Sequence, residues 1–194
     1  MDELNKKWLK GEKNWYFRRK QEVVESLIIG SCLNVGCGEH KIKGAKNVDY
    51  PKFDATKGKC WNKKYDTVIL SDVLEHINPQ SNMPFIALSN AITSANKRVI
   101  ITVPAYMWLY SKYDRLLGHY CRYESKYFKV VSRLSEHKFS ISHLFGLLLP
   151  LFWLRKIMNK GETPRLPKWL DWIFYQLSKI TLPWGSTLLV VIDK

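Results

Sequence analysis

With 194 residues, 46% of them hydrophobic and 25% charged, the chain falls in the size range of one domain and can bury a sizeable core, and its composition requires no segment to be disordered. Its 31 Lys and Arg against 17 Asp and Glu leave a net charge of +14, which favours anions as partners without choosing among nucleic acid, an anionic membrane surface and a phosphorylated substrate. The four cysteines, Cys32, Cys37, Cys60 and Cys121, contain no C-x-x-C pair and are too sparse for a disulfide scaffold, so reduced thiols in a cytoplasm and no bound metal are the expectation.

No apolar run approaches the ~20 residues of a membrane span, and no signal core stands behind the N-terminal residues, so the chain reads as intracellular. Residues 14–29 carry Tyr16, Val23 and Leu27 on one helical face and Arg18, Lys20 and Glu25 elsewhere, which predicts an N-terminal amphipathic helix ending at Gly30. Residues 32–35 then form an apolar strand that runs into Gly36-Cys37-Gly38. Glycine there can take positive φ and lets a ligand approach the backbone closely. A basic loop leads to a second strand over 45–49, and Asp49 at its end is placed to accept hydrogen bonds from a ribose diol, as in nucleotide crevices at the carboxyl ends of parallel strands.

Residues 65–70 read as a buried β-branched strand with Ser71-Asp72-Val73-Leu74-Glu75-His76 at its carboxyl end. Phe85, Leu88 and Ile92 recur at helical spacing over 79–96, and 98–103 is another apolar strand, closed by Pro104. This alternation argues a parallel sheet covered on both faces. An aromatic loop follows, ending Gly118-His119-Tyr120-Cys121-Arg122-Tyr123; then come a helix marked by Tyr127, Val131 and Leu134, a strand over 139–145, and a final strand over 186–192. A hydrophobic helical insertion occupies 144–183. In its second helix, over 167–181, Trp169, Leu170, Ile173, Phe174 and Leu177 share one face, which fits core packing, a substrate lid or an interfacial helix on a bilayer.

Taken together, these stretches resemble the class I S-adenosylmethionine-dependent methyltransferases over most of the chain. Residues 33–38 look like the family's first motif, Asn47-Val48-Asp49 like its ribose-binding acid, and 65–76 like its fourth-strand motif. Residues 98–104 are similar to the fifth strand and 183–191 to the antiparallel last strand, while 15–19 and 114–123 resemble elements of one bacterial and archaeal subgroup. A dinucleotide fingerprint would ask for a third glycine and an acid ~20 residues on, whereas His40 and Lys41 follow here and Asp49 comes sooner. The resemblance implies a single α/β domain over 1–194 with a three-layer Rossmann-like methyltransferase fold and a mostly parallel seven-stranded sheet with an antiparallel last strand.

It also implies S-adenosyl-L-methionine as cofactor. Asn34, Gly36, Cys37 and Gly38 would flank its methionine part, with Asn34 standing where the family often carries an acid. Asp49 would bind the ribose, Asp54 and Ala55 would lie near the adenine, and Ser71 and Asp72 would sit beside the methyl group. Methyl transfer from a sulfonium needs in-line alignment and exclusion of water above all. His119 is the expected general base, since an ordinary imidazole takes a proton near ~6.5, and His76, with Glu75, follows the fourth-strand stretch to sit close to the transferred methyl or to hold the loop by a backbone hydrogen bond. Arg19 and Arg122 offer bidentate geometry to a carboxylate or phosphate, and Tyr106 and Tyr120 join them as expected substrate contacts.

The expected acceptor is a small molecule or a lipid- or saccharide-linked substrate. An RNA- or DNA-directed methyltransferase rests on the charge alone and is less favoured, because no nucleic-acid-binding motif accompanies it. A non-catalytic membrane-surface adaptor with the same fold is the remaining alternative. The expected location is cytoplasmic, with an anionic membrane surface as a further partner.

Overall fold

The computed structural model describes residues 14–158 and 166–194. Helix α1, Trp15–Ser26, starts where it does because the side chain of Asn14 accepts hydrogen bonds from the backbone of Tyr16 and Phe17 at 3.0 and 3.1 Å, which satisfies two free amides of the first turn. Strands β1 (Cys32–Val35), β2 (Lys46–Val48), β3 (Tyr65–Ser71), β4 (Ala95–Pro104), β5 (Lys138–Leu144) and β6 (Thr187–Asp193) form one sheet in the order β2-β1-β3-β4-β6-β5. The first four are parallel, and β6 runs antiparallel to both β4 and β5. Between them lie α2 (Met83–Ser94), α3 (Lys112–Leu116), α4 (Ser125–Arg133), α5 (Leu149–Ile157) and α6 (Lys168–Leu177).

Alternation along the strands divides the core in two. Val68 and Leu70 of β3, Val99 and Ile101 of β4, and Val190 and Ile192 of β6 join Leu88 of α2 and Phe128 of α4 on one face. Ile69, Ile100, Leu189 and Val191 point the other way, to Trp15 and Val24 of α1 and to Phe145 and Leu148. Burying each such side chain contributes about 2 kcal/mol, so a one-residue slip of β3 would exchange both cores at once. The result is a three-layer helix–sheet–helix arrangement. Its register sets Val35 opposite Leu70 and Ser71 opposite Thr102, so β1, β3 and β4 end side by side and their exit loops share one edge.

The sheet has six strands among the described residues, one fewer than the resemblance implies. The stretch similar to the family's fourth strand is the third here, so the missing strand falls between β2 and β3. That segment holds Pro51, Gly58 and five lysines with no alternating apolar pattern, and it forms turns and one 3-10 turn, Gly58–Cys60. Helix α6 turns only part of the face its periodicity suggests inward, with Phe174 and Leu177 packed on the core that holds Trp15 and Phe145. Asp171, Phe174 and Tyr175 pack on α1, whereas Trp169 is 65% and Trp172 61% exposed, because Asp171 accepts from the Trp15 backbone at 2.8 Å and pairs with Arg18 at 3.2 Å. No described helix is long and apolar enough to cross a membrane.

Candidate active site

The exit of β1 is held by backbone geometry that only glycine adopts without strain. Gly36 has φ 66° and Gly38 φ 47°. A Cβ on Gly36 would lie 2.6 Å from Cγ2 of Val73, whereas one on Gly38 would meet nothing within 4 Å, so the backbone lies bare towards open space at that point. No helix follows this turn. The loop is instead stapled by two asparagines: buried Asn34 donates to the His40 carbonyl at 3.1 Å and to Oδ1 of Asn47 at 2.9 Å, while Asn47 exchanges hydrogen bonds with the Ile42 backbone, both at 2.9 Å. The amide nitrogen of Asn34 is thereby committed to the loop, where a carboxylate would have no proton to give.

A cavity of about 620 Å³ opens at this shared strand edge, between α1 on one side and the α3 segment, α5 and α6 on the other. It falls within the volume range of small-molecule sites. It brings together Asn34, Gly36, Cys37 and Gly38 from the first turn and Ser71, Asp72 and His76 from the exit of β3. His119 and Arg122, from the aromatic loop, complete that group.

Other residues expected at the site lie outside its lining. Asp49 ends β2 at the surface, where its Oδ1 accepts from the Tyr50 backbone at 2.9 Å. Asp54 is satisfied locally by Thr56 at 2.7 Å and Lys57 at 3.3 Å, and Ala55 is buried in the core with its carbonyl taken by Trp61 and Asn90, each at 3.0 Å. Arg19 faces Glu22 at 3.7 Å on α1. Tyr106 is stacked between Trp108 and His143, and Tyr120 is largely exposed. Arg122 lines the cavity, where it grips Asp114 through two contacts of 2.8 and 3.2 Å and donates to the Ala105 carbonyl at 3.2 Å.

The electrostatics centre on Asp72, which has φ 54° and keeps 30% of its side chain open to the cavity. Burial would push the Lys20 ammonium down, but the Asp72 carboxylate beside it outweighs this and holds it above its ordinary value; Asp72 in turn is held below the usual carboxylate range against the same desolvation. Glu75 is 1% exposed, and burial together with the neighbouring Asp72 charge raises its carboxyl well above the ordinary range. Burial and the adjacent His119 push His76 down to about 4, so at neutral pH it is an uncharged imidazole. Its ring meets that of His119 edge-on at 4.7 Å. Asp114, 1% exposed, is desolvated yet pulled down to about 2 by His119, Arg122 and Ser111, and its Oδ1 lies 3.3 Å from Nδ1 of His119.

Three residues of the cavity were not expected as site members from the sequence: Lys20, Asp114 and Arg155. Lys20 sits on a helix whose polar positions read as solvated, and its partner lies 52 residues away. Asp114 carried only the signal of opening the aromatic loop. Arg155 of α5 lies over the Tyr113 ring at 3.6 Å and lines the cavity, and among the described residues its Nε and one terminal nitrogen are buried without hydrogen-bond partners.

No family model matches the chain, and no curated protein matches it in sequence. Its architecture is nevertheless shared with solved methyltransferases. A Thermotoga maritima protein described as an S-adenosylmethionine-dependent methyltransferase, possibly acting on histamine nitrogen, is 11% identical, with 100% of each chain covered and a TM-score of 0.55. An S-adenosylmethionine-dependent methyltransferase from Archaeoglobus fulgidus is 15% identical over 91% of each chain, with a TM-score of 0.52. The plantazolicin methyltransferase BpumL, solved with a triazolic desmethylPZN analog and S-adenosylhomocysteine, is 12% identical over 99% of this chain and 90% of its own, also at 0.52. The chain has the Rossmann-like fold of the class I S-adenosylmethionine-dependent methyltransferases.

Proposed function

We propose that the protein transfers a methyl group from S-adenosylmethionine to an acceptor bound in the cavity beside Asp72. The observation that carries this reading is the bare backbone at Gly36 and Gly38 opening onto the same cavity as the exits of β3 and the aromatic loop, in a fold shared with methyltransferases. The turn fits the methionine part of the cofactor, and the surface carboxylate of Asp49, one strand over, fits its ribose diol. When bound, S-adenosylmethionine supplies an electrophilic methyl on a sulfonium.

The chain's own residues then do three things. Gly36 to Gly38, Ser71 and Asp72 fix where the donor ends, so that the acceptor approaches in line. Trp15 and Tyr16 of α1, with Phe152 of α5 and Phe174 of α6, wall the cavity with apolar surface and keep water out. His119, oriented by Asp114, with His76 beside it, receives the proton that leaves an attacking hydroxyl or amine.

The acceptor we favour is a small or lipid- or saccharide-linked molecule with an apolar body and an anionic group. The apolar lining supports the first feature, and the unpartnered guanidinium nitrogens of Arg155 support the second. Exposed Trp169 and Trp172 on α6, with exposed Lys168 just before them in the chain, favour delivery of that acceptor from an anionic membrane surface. Titration calorimetry with S-adenosylhomocysteine tests the cofactor: saturable 1:1 binding that Gly36→Ala abolishes is expected, and no heat from the wild type rejects the reading. Incubation with labelled methyl donor and cell extract, split into lipid, nucleic-acid and small-molecule fractions, then identifies the acceptor.

A further inference from the structure

Glu75, His76 and His119 reach the cavity from two different loops, and one donor atom from each lies within 4.8 Å of the others. Ligand bonds of about 2.1 Å to a central ion would set such donors about 3–4 Å apart, so the three need to close by less than about 2 Å. Glu75 is where the structure is unfinished: it is buried, and among the described residues neither carboxylate oxygen has a hydrogen-bond partner. A buried carboxyl without partners is costly, and a cation is what would satisfy it.

The two imidazoles are oriented as ligands are. Nδ1 of His119 faces the buried carboxylate of Asp114, which is itself anchored by Arg122 and by Ser111 at 3.0 Å, and this leaves Nε2 of His119 free to donate a lone pair. The ring of His76 is hydrogen-bonded to the Gly118 backbone, and the backbone of Glu75 is held by the Tyr120 amide at 2.8 Å. Carboxylates and carbonyls that hold the second ring nitrogen are the usual supports of metal-binding histidines. The nearby Lys20 charge does not repel a cation, because Asp72 already neutralises it.

We propose that Glu75, His76 and His119 bind one divalent transition-metal ion on the wall of the cavity. Two imidazoles and one carboxylate suit zinc, manganese, iron(II) or cobalt(II) rather than magnesium or calcium. Three protein ligands leave positions open towards the cavity, where an acceptor hydroxyl bound to the ion would ionise more readily, its proton passing to water, so that in the metal-bound form the ion takes over the task that His119 has as base in the metal-free protein. The sequence raised no expectation of a metal, since ligands at 75, 76 and 119 follow no ligand spacing; the aromatic loop brings the third one in.

The full chain, stripped with a chelator and dialysed, is titrated with cobalt(II) chloride and followed by the visible absorption of the bound ion. Saturation at one equivalent is expected. Glu75→Gln and His119→Ala should each weaken binding at least about 100-fold, and Asp114→Asn about 10–100-fold through loss of orientation. His137→Ala, remote from the cavity, should change nothing. Failure of the wild type to saturate at one equivalent, or wild-type affinity in His119→Ala, overturns the proposal. Circular dichroism checks each variant, and if Glu75→Gln does not fold, His76→Ala and His119→Ala decide by the same criterion. No methyl donor is present in the titration, so this site and the methyl-transfer reading stand or fall separately.

Discussion

Lys20, in the second turn of α1, and Asp72, where β3 ends, meet side chain to side chain over the carboxyl edge of the sheet. The pair anchors α1 against the strand exits and holds Asp72 in a left-handed backbone conformation that few non-glycine residues adopt. Thr102 completes the arrangement by donating to Oδ1 of Asp72 at 3.1 Å.

Lys20→Met leaves that carboxylate without its counter-charge. Unfolding in urea should show a loss of about 3 kcal/mol, the low end for a broken buried pair because Asp72 keeps part of its surface on the cavity. The double variant with Asp72→Asn should lose less than the sum of the two single losses. The sign with pH follows from the two shifts. The Asp72 contribution is complete above its ordinary 3.8 and disappears as pH falls through its lowered folded value, while that of Lys20 is complete below its ordinary 10.5 and disappears as pH rises through its raised one. Equal stability of wild type and Lys20→Met at pH 7 would contradict the pairing.

Gly36→Ala combines a positive φ with a Cβ 2.6 Å from Val73, and should cost about 1–3 kcal/mol while abolishing binding of S-adenosylhomocysteine. Adding Val73→Ala relieves the contact but not the dihedral strain. The double variant should therefore regain part of the stability, and full recovery would show that the conformation of the turn is unimportant.

His76 makes the chelated protein sensitive to mild acid. Its folded value of about 4 lies below the ordinary 6.5, so the unfolded chain binds more protons between those limits and stability falls as pH drops across them, by about 1 kcal/mol because the exposed ring is screened by solvent. Asp114 adds a further loss as pH falls from its ordinary 3.8 towards about 2. His76→Leu should flatten the stability profile between pH 6.5 and 4, and an unchanged slope in that variant would contradict the assignment.

Trp169→Ser with Trp172→Ser removes two exposed indoles and should leave urea stability within about 0.5 kcal/mol of wild type. Sedimentation with phosphatidylserine vesicles should drop several-fold. Equal sedimentation of the double variant and wild type would remove α6 from any membrane contact.

The sequence by itself determined the elements whose signal is local. The strand at 32–35 with its glycine turn, the β-branched runs of β3, β4 and β6, and the helix started by Asn14 all follow from residues within one or two turns of each other, because side-chain period and backbone freedom act at short range. It also reached most of the cavity's strand-exit residues, since parallel strands carry their loops to one edge. Tertiary structure decided the rest. It paired Arg122 with Asp114, chose the face of α6 through Asp171, omitted a strand where lysines and Pro51 replace an apolar pattern, and gathered Lys20, Asp72, Glu75, His76 and His119 from three separate segments. Whether a charged side chain is solvated, neutralised or left waiting for a ligand depends on partners tens of residues away, brought close only when burial of the two cores fixes the register of the sheet.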